Sequence, residues 1–159
     1  MADTDTAGTT ETRIASAERE ISAPAARIFD LIADPAEQPR WDGNDNLRTA
    51  AIGQRVRSVG EVFVVDLTNG QTRENHVVEF DENRLIAWLP AEPGLRPPGH
   101  LWRWELEAID AGRTLVRHTY DWTRLTDELR LPRARATTSE KLRGSIDRLA
   151  AVATDPDNG

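Results

Sequence analysis

Cysteine is absent from the 159 residues, which excludes disulfides, iron–sulfur clusters, thiolate zinc sites and cysteine nucleophiles at once. Long apolar runs are missing too. None approaches the roughly 18 residues needed to span a bilayer, so no integral membrane association is expected. The opening MADTDTAGTTETR lacks the apolar stretch of a secretory signal, and a cytoplasmic protein is expected. Positive charge is in deficit: 20 Lys and Arg stand against 27 Asp and Glu, a net charge of −7. A chain of that sign has no bulk attraction to nucleic acid, which is therefore not an expected partner. No glycine-rich loop precedes a helix, which removes the phosphate-cradling motif, and no nucleophile elbow occurs. The three histidines share no local spacing motif, so neither a metal nor a cofactor is expected.

What is present fits one globular domain, with 38% apolar and 30% charged residues. It is expected over residues 12–153, between a disordered N-terminal tail at 1–11 and a C-terminal tail at 154–159, because both ends are polar with nothing to bury. Residues 12–22 are the first ordered segment, and 17–21 within it alternate weakly, as a half-exposed strand does. Ser22-Ala-Pro24 is a helix start, Ile28, Phe29, Leu31 and Ile32 follow at helical spacing, and Asp34-Pro35 stops the helix. A second short helix or turn is expected at 35–38. Apolar runs at 61–67, 76–80, 85–89, 101–109 and 114–122 are separated by hairpin spacers such as Thr68-Asn69-Gly70 and Asp81-Glu82-Asn83, and 47–52 is a weaker strand candidate. A helical pattern within 132–152 places Leu142, Ile146, Leu149 and Ala153 on one stripe. Gly144 lies beside that stripe, and a close packing contact is its expected compensation. The spacing predicts an α+β fold: a curved antiparallel sheet of six or seven strands wrapped around the long C-terminal helix, with two short helices after the first strand.

Strand parity says which side chains share the interior, since successive residues face opposite ways. The even positions of 114–122 include His118, Tyr120 and Trp122. Those of 101–109 include Trp102 and Trp104. His76, Val78 and Phe80 face inward on the strand ending at Phe80, and Ile86 and Trp88 on the next. One interior thus receives Trp88, Trp102, Trp104, Tyr120, Trp122, His76 and His118. An aromatic core with satisfied polar tips and a ligand cavity both account for such a set. Trp41, after the helix pair, is either a packing plug or a wall of the cavity entrance. His118 and Tyr120, two apart on one strand and about 7 Å between Cα atoms, suit a single carbonyl or hydroxyl group. They are also the acid/base candidates if a reaction occurs. The C-terminal arginines, Arg130 and Arg133 among them, read as a solvated helix face, and His100 as a solvated loop residue.

The residues also carry a family resemblance. REISAPAARIFDLIADPAEQPRWDG resembles the first strand and helix pair of the START / Bet v 1-like helix-grip (SRPBCC) superfamily. DENRLIAWLP resembles its hairpin, and WRWELEAIDAGRTLVRHTYDW its two long closing strands. Among subfamilies the chain is most like bacterial polyketide cyclase/dehydrase-like proteins. Phe63 matches that group, but Leu67 stands where an asparagine is expected, and Thr72-Arg73 replaces an aromatic. The resemblance implies binding of a small hydrophobic, aromatic or polycyclic molecule in an internal cavity, by a monomer or homodimer. Its alternatives are a polyketide cyclase/dehydratase-like enzyme acting on a polyketide-like ligand through His118 and Tyr120, and an Hsp90-ATPase-activator-homologue-like interaction module.

Overall fold

A computed structural model describes residues 11–42 and 47–156. The tails expected at 1–11 and 154–159 therefore lie outside the described residues, except at 11 and 154–156. Strand β1 (Ile14–Ile21) leads into helix α1 (Ala25–Ala33) and a 3-10 turn (Pro35–Arg40). Six strands follow: β2 (Leu47–Thr49), β3 (Val62–Leu67), β4 (Thr72–Asp81), β5 (Leu85–Ala91), β6 (Leu101–Asp110) and β7 (Arg113–Asp121). Helices α2 (Leu131–Arg135) and α3 (Ser139–Thr154) close the chain. The seven strands form one antiparallel sheet in the order β1-β7-β6-β5-β4-β3-β2, so the first strand pairs with the last. The sheet curves around α3, as the hairpin spacers and the single long amphipathic helix predict.

Local chemistry explains the joints. Pro24 precedes the first turn of α1, and Ser22 does not cap it. Asp34 leaves the helical region and takes the amide of Ala36 on its carboxylate at 3.2 Å, which starts the 3-10 turn that Pro35 favours. Ile28, Phe29 and Ile32 point from α1 into the core, where Ile21, Ile86, Val116, Ile146 and Leu149 meet them, all at 1% exposure or less. Each such burial contributes about 1.5–3 kcal/mol. All four residues of the predicted α3 stripe are buried.

Three expectations are corrected. The helical pattern at 132–152 is two helices, because the chain leaves α2 at Ala136 and restarts when the extended Thr138 accepts the amide of Lys141 on its hydroxyl. Gly144 has no close packing contact: a Cβ there would meet open space. In β4 the inward residues are Asn75 and Val77, not His76 and Val78. The pairing runs Val77 to Trp88 and then Glu79 to Ala87, so Val78 is an extra residue that reverses the alternation. Phe80, beyond the bulge, does turn inward and packs edge-on against Phe29. No helix among the described residues is long and apolar enough to cross a membrane.

Candidate functional site

A cavity of about 170 Å³ lies between the concave face of the sheet and the C-terminal helices. Its walls are the inward rows of β5, β6 and β7. Antiparallel register sets Trp102 opposite both Trp88 and Tyr120, and Trp104 opposite His118. The rings then pack against one another. His118 stacks on Trp104 with centroids 3.7 Å apart and planes 14° apart, and lies nearly parallel to Trp102 at 5.5 Å. Tyr120 meets Trp102 at 4.4 Å. Trp88 is held edge-on by Phe63 at 5.2 Å.

The polar tips in this wall are set by burial. His118 Nδ1 is 3.0 Å from the Arg103 carbonyl oxygen. A carbonyl only accepts, so Nδ1 carries the proton and Nε2 is left as an acceptor. Burial pushes the imidazole pKa down to about 3, against which the Arg103 contact is a smaller opposing effect. His118 is therefore neutral at physiological pH. Burial likewise pushes the Tyr120 hydroxyl up to about 12, so it keeps its proton and donates. Asn75 reaches toward the Phe63 carbonyl at 3.5 Å, and Gln38 gives its amide to the Ile32 carbonyl at 3.0 Å.

Of the eight residues singled out by sequence, Trp41, Trp88, Trp102, Trp104, His118 and Tyr120 line the cavity. Trp41 is not at an entrance. It is 4% exposed, packs edge-on against Trp104 at 5.2 Å and donates its Nε1–H to the Leu31 carbonyl at 2.8 Å. His76 and Trp122 lie outside the lining. The Val78 bulge turns His76 to the other face, where its Nε2 is buried without a partner. Trp122 follows the last residue of β7, its amide still bonded to the Arg13 carbonyl at 2.9 Å, and it is buried inward as parity expects but beyond the cavity. It packs with Leu125, Ala134 and Leu142 beneath the Arg13 guanidinium.

The sequence reading missed the mouth of the cavity. His100 lines it, 6.0 Å from the Tyr120 ring, with Nδ1 buried and unpartnered. Burial, and then the charges of Arg130, Arg73 and Arg133, lower its pKa to about 4. Those three arginines also line the mouth. The signal for the loop was Gly99. Its φ is +121°, and a Cβ there would stand 2.6 Å from the Arg124 carbonyl oxygen, so only glycine lets the loop lie against the segment after β7 and carry His100 inward. No group of three or more His, Cys, Asp or Glu able to hold a metal occurs among the described residues.

The profile of a family described as "Polyketide cyclase / dehydrase and lipid transport" matches residues 12–154. The uncharacterized protein Rv0088 of Mycobacterium tuberculosis is 27% identical over 110 residues, 65% of this chain. This chain spans about half the length of that relative, 45% of it. Among solved structures, the Aha1 dimer of Colwellia psychrerythraea superposes with a TM-score of 0.61 at 19% identity, covering 88% of this chain and 95% of that one. Major latex-like protein 151 of Panax ginseng superposes with a TM-score of 0.61 at 14% identity, covering 89% and 97%. At these identities the two structures show the fold alone.

Proposed function

The chain belongs to the polyketide cyclase / dehydrase and lipid transport family, and from that premise we propose that it binds a small apolar molecule with an aromatic body in the cavity under α3. The observation that carries this reading is the wall itself. Trp88, Trp102 and Trp104 offer ring faces and edges, while His118 Nε2 and the Tyr120 hydroxyl offer one acceptor and one donor two residues apart. A concave apolar site with a few convergent polar groups is what such a ligand needs. The size favours one or two rings: an empty cavity of about 150 Å³ takes a benzene, and this one is about 170 Å³. A larger polycycle requires α3 to move.

The same groups speak for carriage over catalysis. A cyclase or dehydratase needs a base near the working pH. His118, with a pKa near 3, is a weak base at neutrality, and Tyr120, near 12, does not give up its proton. They recognise a carbonyl or hydroxyl without exchanging protons with it. An interaction module without a ligand has no use for the cavity. The working unit is one domain over residues 12–153, cytoplasmic, without a cofactor, as a monomer or homodimer.

Native mass spectrometry of the purified protein tests the proposal. A noncovalent adduct released on unfolding is the expected result, together with quenching of the five tryptophans by 2-naphthol. No adduct and no saturable quenching would overturn it. His118→Phe keeps the stack and removes the acceptor, and is expected to weaken 2-naphthol binding by about 1–3 kcal/mol.

A further inference from the structure

Positive charge gathers at the cavity mouth of a chain whose net charge is −7. Arg73 comes from the start of β4, Arg130 from the turn before α2, and Arg133 from α2 itself. Arg130 is engaged, with Glu92 at 2.6 Å and Asp127 at 3.1 Å. Arg73 and Arg133 have no carboxylate partner among the described residues. Arg73 donates to the Thr72 carbonyl at 3.0 Å and the Gln71 side-chain oxygen at 2.8 Å instead. Burial, followed by the repulsion of Arg130 and Arg133, holds its guanidinium below the usual range, with Glu92 only partly opposing. Asp42, the carboxylate among the lining residues, takes the Leu47 amide at 3.0 Å.

Two neutral groups face the same space. His100 Nδ1 is buried without a partner, and the Tyr120 hydroxyl makes no hydrogen bond within the described residues. Glu92 and Asp127 answer Arg130, which leaves the Arg73 and Arg133 guanidiniums at the lining without a carboxylate of their own among the described residues. The fork-shaped donors of a guanidinium match a flat carboxylate in a two-point, charge-assisted pair.

We propose that the ligand carries a carboxylate, held at the cavity mouth by Arg73 and Arg133 with the Tyr120 hydroxyl and His100 beside it, while its apolar body lies among Trp102, Trp104 and Trp88. This rests on the ligand-binding reading above and adds the head group.

A matched pair of fluorescent probes, 2-naphthoate and 2-naphthamide, separates the two ideas at neutral pH. The acid is expected to bind roughly tenfold or more tightly than the amide, with a preference that shrinks as salt is raised. Arg73→Gln and Arg133→Gln are each expected to weaken the acid roughly tenfold and leave the amide within about twofold. Arg96→Gln, on the exposed loop, is the control and changes neither. Circular dichroism and melting confirm that the variants fold, and the salt series on the wild-type protein stands even where one does not. Equal binding of acid and amide, or an acid preference untouched in both arginine variants, overturns the carboxylate and leaves the apolar cavity intact. Binding of neither probe overturns both proposals.

Discussion

Trp104 and Trp102 cover the faces of the His118 ring, so the folded state disfavours its charged form. An unfolded histidine titrates near 6.5, whereas this one is pushed down to about 3. Between those values the unfolded chain binds a proton that the folded one refuses. Stability is then complete above about pH 6.5 and falls as pH drops toward 3, with about 2 kcal/mol lost by pH 5 from this group. His100, lowered to about 4, acts in the same direction. Urea unfolding at pH 7 and pH 5 is expected to show a smaller pH loss in His118→Phe than in the wild type, and equal losses would refute the assignment. At Gly144 a Cβ meets open space on the helix, so Gly144→Ala is expected to raise stability by about 0.5–1 kcal/mol, read as a higher melting temperature. Strand parity finds Trp88, Trp102, Trp104, His118 and Tyr120 because each sits in an unbroken ladder. It cannot find Arg73, Arg130 and Arg133. These come from three separate segments, and only the tertiary fold brings them together at the mouth.

Whole elements were legible where turn chemistry and periodicity agreed, and illegible where one residue decides. The spacers at Thr68-Asn69-Gly70 and Asp81-Glu82-Asn83 do carry the left-handed residues Gly70 and Asn83. The strands between them lie near their expected bounds. The Val78 bulge has no such mark, since valine is as suited to a regular strand as to a bulge, and it moves His76 to the wrong face. The break between α2 and α3 is similar, with two adjacent threonines and only the second serving as the cap. The loop before β6 depends on a single glycine. Gly99→Ala is expected to strain the backbone and collide with the Arg124 carbonyl, lifting His100 out of the mouth. A lower melting temperature with weaker 2-naphthol binding is the expected outcome, and wild-type values for both would sink it.

At the scale of the molecule, the surface is acidic and bound together by ion pairs such as Glu18–Arg117 and Glu20–Arg113 across β1 and β7. Exposed pairs of this kind contribute little individually. The net charge of −7 vanishes near the isoelectric point of about 5, within the window where the buried histidines weaken the fold. Turbidity on acidification is expected to rise near pH 5 and to be reduced in His118→Phe; an equal rise in variant and wild type would assign it to charge alone. The sheet order has a different kind of consequence. Glu20 and Arg113, partners across the closing strands, are 93 residues apart in the chain. A ribosome adding ~5–20 residues per second takes several seconds to make up that interval. During that time the pairing edge of β1 has no partner, because β7 is not yet synthesised. Within the sheet, the strand translated first waits for the strand translated last. The alternating charges Glu18, Arg19 and Glu20 keep that waiting edge from enlisting a stranger.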